Sequence, residues 1–314
     1  MKSYRQGAEN MKVEKIGSRG TLFTFAASDT GFPEECCVYL INGKNRVYLC
    51  DTHLGPGSMA PVREYIRANG MADKELVVFL THADYDHIWG ACAFPGATVA
   101  AHEGTLERIY NRGSLELRRY GHYKNGDVKL VYPTLTFDGK ISFREDGVEF
   151  IHAPGHTSDS ALCHDRADGV LFVGDLVERP RPVIQDHDLE RYIDSLERIR
   201  EMEAKIMLSS HSGRVTARDI EDNIGSIHQF QDMLVTKPAP NETREVSRAR
   251  KLYTLLLYED AIAQTAGNTF DYEAFQKELW DSLELDYLSP LDALLDGVEH
   301  EELKLALESY LAGL

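Results

Sequence analysis

The chain has 314 residues, 43% of them hydrophobic and 27% charged, with a formal net charge of −17. That length supports one large domain with an appendage, and the acidic balance argues against a nucleic-acid backbone or an anionic membrane surface as partner. No apolar run approaches the ~20 residues of a membrane span, and the N-terminal MKSYRQGAENMKVEK lacks the apolar stretch of a signal peptide, so a cytoplasmic address is expected.

In chain order, TLFTFAA (21–27), CCVYLING (36–43) and RVYLCDT (46–52) read as strands, with Asn42-Gly43 a hairpin signal. GSMAPVREYIRANG (57–70) reads as a helix leading into the strand ELVVFL (75–80). Strands follow at ATVAAH (97–102), ISFRE (141–145), VEFIHA (148–153), ALCHD (161–165), VLFVGD (170–175) and KIMLSSH (205–211). A helix, DLERYIDSLERIREME (188–203), precedes the last of them, and 103–140 reads as an insertion of pocket-bordering loop. Runs of strands with helices between them predict an α/β fold, an αββα sandwich of two mixed β-sheets flanked by helices, over residues 1–235.

The polar, proline-interrupted TKPAPNETRE (236–245) then opens a separate helical extension, 236–314. Residues 271–314 hold twelve Asp and Glu against two Lys, so −10 of the −17 lies there. The stripes Phe275, Leu279, Trp280, Leu283 and Leu303, Leu307, Leu311 are packing faces, or else a homo-oligomer contact or a lid over the active site. The five cysteines (Cys36, Cys37, Cys50, Cys92, Cys163) are odd in number and lack C-x-x-C spacing, so they read as reduced thiols.

The histidines and aspartates carry the chemistry. THADYDH (81–87) follows ELVVFL and contains His82, Asp84, Asp86 and His87. His156 follows VEFIHA, Asp175 ends VLFVGD, and His211 ends KIMLSSH. Each lies just beyond an apolar strand, so a sheet edge can bring all seven together. Seven imidazole and carboxylate donors shared between two divalent ions give each three or four, with positions left for water. Isolated histidines after a strand are ordinarily hydrogen-bonding residues, and His102 reads equally as pocket lining or as strand-end polarity.

In order, THADYDH, PGHTSDS, the GD of LFVGDL and the histidine of LSSHSG, preceded by CDTHLGPGS, resemble the motifs of the metallo-β-lactamase-fold superfamily of metallohydrolases. The resemblance implies one metal held by His82, Asp84 and His156, and another by Asp86, His87 and His211. Asp175 would bridge them and Asp51 would support the site from behind. It also implies hydrolysis by a hydroxide shared between the metals, with Asp86 as a catalytic group orienting it or as a ligand only. Three positions depart from the family's pattern: Asp84 stands where histidine is usual, Trp89 where glycine is common, and Asp159 where a small residue is common. A carboxylate at Asp84 tilts the cofactor from two zinc ions toward iron or manganese. It also raises the alternative of an oxidoreductase akin to the flavodiiron proteins, and a metal-binding scaffold without turnover is a third reading.

The expected substrate is a small-molecule ester, thioester, lactone or phosphoester, with no nucleic acid and no membrane as partner. His102, Tyr120, His122, Tyr123, Arg179 and Arg181 are candidate substrate contacts. Any one of them also reads as a solvated loop residue or a packed tyrosine.

Overall fold

The computed structural model describes residues 11–27 and 32–235. The chain divides into two compact units. The first holds the described residues up to Ile184 together with Glu190–Ile224; in the second, 185–189 and 225–235 are described. The proposed helical extension, its oligomer contact and its lid lie outside the described residues. No helix among the described residues is long and apolar enough to cross a membrane.

The first unit is a sandwich of two mixed sheets. One runs β1 (Met11–Ile16), β2 (Gly20–Phe25), β3 (Cys36–Asn42), β4 (Arg46–Cys50), β5 (Glu75–Phe79), β6 (Thr98–His102), β7 (Leu135–Phe137) in spatial order. Its first four strands form an antiparallel meander, and β4 to β7 are parallel. The second sheet is ordered β13 (Gly213–Val215), β12 (Ile206–Ser209), β11 (Val170–Phe172), β10 (Ala161–Asp165), β9 (Val148–His152), β8 (Lys140–Phe143), with only β11 and β12 parallel. The helices are α1 (Pro56–Ala68), α2 (Tyr85–Ile88), α3 (Glu103–Arg119), α4 (Leu189–Glu201) and α5 (Ala217–Val235).

The two-residue alternation of a strand fixes which side chains meet. On β3, Cys37, Tyr39 and Ile41 enter the inter-sheet core with Tyr48, Phe79, Phe150 and Phe172, while Val38 and Leu40 face the other way. On β5, Val77 and Phe79 face inward, whereas Val78 joins Met59, Val62 and Ile66 of α1 in an outer core. Phe79 and Phe150 stack across the sheets with centroids 4.0 Å apart. Four of the five cysteines are buried and all are free thiols.

The insertion at 103–140 is not simply loop, because it opens with the 17-residue helix α3. Its inward face is Thr105, Ile109, Gly113 and Leu115, a stripe in which two of four residues are not large apolar ones. Trp89 is a core residue rather than pocket lining, 1% exposed within the outer core. Gly90 beside it is obligatory, since a Cβ there would lie 1.8 Å from the Thr52 carbonyl oxygen.

Candidate metal centre

The seven residues sit at one edge of the sandwich, carried there by the ends of several strands. Asp51 follows β4, residues 81–87 follow β5, His156 lies in the turn from β9 to β10, Asp175 follows β11, and His211 follows β12. Main-chain hydrogen bonds join these strand ends, across the two sheets from Cys37 N to Ser210 O at 2.7 Å and from Ala161 N to Thr81 O at 2.8 Å, and within the second sheet from Ser210 N to Gly174 O at 3.0 Å. Gly174 turns at φ +58°, and a Cβ there would press on Thr81 at 3.0 Å, so the residue before Asp175 must be glycine.

Two donor sets result. In the first, Asp84 Oδ2 lies 3.5 Å from His82 Nε2 and 3.6 Å from His156 Nε2. In the second, Asp86 Oδ2 lies 3.4 Å from His87 Nε2 and 3.2 Å from His211 Nε2. Asp175 Oδ2 belongs to both, at 3.6, 3.7, 3.2 and 3.3 Å from the Nε2 atoms of His82, His156, His87 and His211. Donors held ~2.0–2.2 Å from a tetrahedral ion are ~3.3–3.6 Å from one another, so the spacing within each set is close to that of metal ligands.

The hydrogen-bond network assigns the histidine tautomers. His87 Nδ1 donates to Asp51 Oδ2 at 2.9 Å, His156 Nδ1 to the Val183 carbonyl at 2.9 Å, and His211 Nδ1 to the Glu35 carbonyl at 2.8 Å. Thr81 Oγ1 donates to Asp51 Oδ2, leaving its lone pair to accept from His82 Nδ1 at 3.0 Å. In their neutral form all four rings therefore turn an unprotonated Nε2 inward. His87 and His211 then face each other lone pair to lone pair at 3.3 Å, and His82 Nε2 is buried with no hydrogen-bond partner. Lone pairs turned toward one another repel unless a cation lies among them, so the residues fit divalent metal.

Without cations the cluster draws protons instead. Burial opposes charging His156, His87 and His211, but Asp84, Asp86 and Asp175 outweigh it and hold all three above the ordinary histidine range, His156 at about 9. The same attraction works on Asp86: burial raises its carboxyl, and His87 and His211 drive it well below the usual carboxylate range.

Asp51 is fully buried at φ +62° and accepts from the Thr81 amide at 2.8 Å, the Thr81 hydroxyl, His87 and the Ser210 hydroxyl. It thereby fixes the loop that carries the first motif. Asp84, the N-terminal flanking residue of α2, meets Arg108 of α3, which also binds Asp159. Sequence reading missed Arg108 because 103–140 looked like loop. Glu116, two turns further along α3, has a buried Oε2 without a partner; burial and Asp84 push its carboxyl up to about 8.

The candidate substrate contacts divide. Tyr120 and Tyr123 stack on Tyr85, with centroids 4.4 and 6.1 Å away, and Phe32 lies edge-on to Tyr123 at 5.5 Å and 6.4 Å from His211. Phe32, Tyr85, Tyr120 and Tyr123 thus make an aromatic wall beside the second donor set, of which the sequence singled out two members. His122 is exposed against Tyr123. His102 is placed otherwise: it is buried, its Nδ1 caps α3 by accepting from Gly104 N, and its ring stacks on His152 at 3.7 Å. Arg179 spends its guanidinium on the Ser212 and Arg214 carbonyls, and Arg181 is exposed.

An αββα sandwich whose strand ends gather imidazoles and carboxylates into two shells is the architecture of a metal-binding protein. The chain belongs to the metallo-beta-lactamase superfamily, whose profile matches residues 32–211. A human acyl-coenzyme A thioesterase, MBLAC2, is 26% identical over 165 residues, 45% of this chain and 57% of that protein; the chain thus matches little more than half the length of that relative. A metallo-beta-lactamase fold-containing protein, ST1585, from Sulfurisphaera tokodaii is 23% identical over 250 residues, 72% of this chain and 92% of the relative. The solved metallo-beta-lactamase from Pontibacter korlensis superposes with a TM-score of 0.54 at 20% identity, over 70% of this chain and 99% of that one, and shows the shared fold.

Proposed function

We propose that the chain is a dinuclear metal-dependent hydrolase acting on small acyl thioesters or esters. The observation that carries this reading is the pair of donor sets joined by Asp175 Oδ2. His82, Asp84, His156 and Asp175 would hold one ion, and Asp86, His87, His211 and Asp175 the other. Bound there, two divalent ions supply a water acidic enough to act as nucleophile near neutral pH and an electrophile for the substrate's carbonyl oxygen.

The protein's own groups do the rest. Asp51 and the Val183 and Glu35 carbonyls keep the imidazole protons on Nδ1, away from the reacting centre. Asp86, with one oxygen turned to the second set, is the group best situated to orient the attacking water. The aromatic wall of Phe32, Tyr85, Tyr120 and Tyr123 supports an apolar acyl or aromatic substituent, and the likeness to a thioesterase supports the acyl class over phosphoesters and lactones. Asp84 favours a second reading, a redox-active iron pair, because it hardens the first donor set.

Metal content of the purified chain, followed by a panel of acyl thioesters, esters, lactones and phosphodiesters, separates these. The hydrolase reading predicts two ions per chain and thioester or ester turnover that His82→Ala abolishes. A fully loaded protein whose turnover across the panel stays at the His82→Ala level refutes it, and a donor-dependent absorbance change on reduction would favour the iron reading.

A further inference from the structure

The two carboxylates that depart from the superfamily's pattern at this site, Asp84 and Asp159, are 75 positions apart in the numbering and are joined by one side chain. Arg108 donates from Nη1 to Asp159 Oδ1 at 2.5 Å and from Nη2 to Asp84 Oδ1 at 3.1 Å. Asp84 Oδ1 is the oxygen outside the first donor set, because Oδ2 is the one facing His82 and His156. Asp159 is 1% exposed, so its charge is neutralised within the protein, and the Arg108 side chain is itself largely buried.

We propose that Arg108 is a positioning residue for the first metal: it clamps Asp84 through Oδ1 so that the carboxylate presents Oδ2 alone, with Asp159 anchoring the clamp. This rests on reading the first donor set as a metal site. An imidazole in the place of Asp84 would offer one nitrogen in a fixed plane, whereas a carboxylate rotates about its last torsion and can offer one oxygen or two. A planar guanidinium removes that freedom, since its two nitrogens reach two carboxylates in one geometry. Its one positive charge is shared between the two carboxylates, so the trio carries the net charge of a single carboxylate and Asp159 is not left as a buried, uncompensated anion. The three residues therefore form a unit: once Asp84 replaces the ring, Arg108 is needed to hold it, and Asp159 is needed to hold Arg108. A lysine does not substitute, because its three donors rotate about one compact charge and fix no plane.

Cobalt(II) binding to the metal-stripped full chain tests this, with competition against a chelator. In a His211→Ala background, which cripples the second set, the remaining ion reports on the first; in a His82→Ala background it reports on the second. Arg108→Met should weaken cobalt ~10–100-fold in the first background, the usual consequence of losing a group that orients a ligand, and alter the visible cobalt spectrum. In the second background it should change affinity less than about threefold. Arg108→Lys should not rescue it. Asp159→Asn should weaken the first ion in the same direction, and Asp84→His combined with Arg108→Met should recover tight binding, because a ring needs no clamp. Unchanged first-set affinity in Arg108→Met, equal losses in both backgrounds, or an Asp84→His/Arg108→Met chain as weak as Arg108→Met alone overturns the proposal. Should Arg108→Met fail to fold, Arg108→Lys and Asp159→Asn decide: first-set affinity unchanged in both, or equal losses in both backgrounds, overturns the proposal. An unmutated chain that binds no cobalt sinks the metal-site reading itself, a distinct result.

Discussion

Asp51→Asn isolates what a buried carboxylate contributes to this site. Asparagine matches aspartate in size and tolerates the left-handed backbone at φ +62°, so neither packing nor strain changes. The donor pattern does change, because Asp51 receives four N–H or O–H groups and the amide offers one acceptor oxygen and one NH₂. With NH₂ at the Oδ1 position it opposes the Thr81 amide at 2.8 Å, leaving a buried donor unpaired at ~1–3 kcal/mol. With NH₂ at Oδ2 it opposes His87 Nδ1, and relief requires moving the proton to Nε2, which removes that nitrogen from the second donor set. Both routes also lose the charge-assisted bond to His87, worth ~1.5–3 kcal/mol. The variant should lose ~2–4 kcal/mol of stability by urea unfolding of metal-free protein, and its second ion should bind ~10–100-fold more weakly by chelator competition. Unfolding midpoints and affinities equal to those of the parent would show that Asp51 neither orients His87 nor satisfies the loop.

Replacing Asp175 by Asn removes the charge shared by the two shells. Metal content should fall from two ions toward one per chain and turnover about 100-fold or more, while two retained ions with near-parental rates would count against the bridge. Glu116→Gln addresses pH. The carboxyl is raised from 4.5 to about 8 in the folded chain, so the folded state holds its proton more tightly and stability falls as pH rises through that window. The amide should therefore stabilise the protein by up to ~4 kcal/mol at pH 8 and hardly at all at pH 4; equal melting shifts at both pH values would contradict this. Tyr123→Ala shortens the aromatic wall and should raise KM for long-chain thioesters ~5–30-fold with acetyl thioesters unaffected; a uniform effect across chain lengths would remove the wall from acyl recognition.

How far the site could be read from sequence depended on whether a residue's neighbours were local. Residues 81–87 announce themselves because four donors follow one strand, and His156, Asp175 and His211 share the same position relative to theirs. Strands that read as continuous apolar runs, such as β3 and β5, were legible because both of their faces are buried. Arg108 was not, because α3 buries Thr105 and Gly113 where an apolar stripe would show leucines, and because its partners lie 24 and 51 residues away. His102 illustrates the reverse error of reading. A histidine at a strand end looks like pocket lining, yet the same residue begins a helix, and capping the Gly104 amide is the nearer use of its ring nitrogen. Tyr85 and Phe32 join Tyr120 and Tyr123 only through tertiary packing, which no periodicity records.

The hydrogen bonds that stitch Ser210 to Cys37 and Thr81 to Ala161 have a consequence for biosynthesis. Four of the seven donors precede residue 90 and three follow residue 150, so in a growing polypeptide the first donor set is incomplete until Asp175, and the second until His211, has left the ribosome. Under the proposed function each set would therefore be offered to a cation only after both sheets have met, with the strand ends already stitched together.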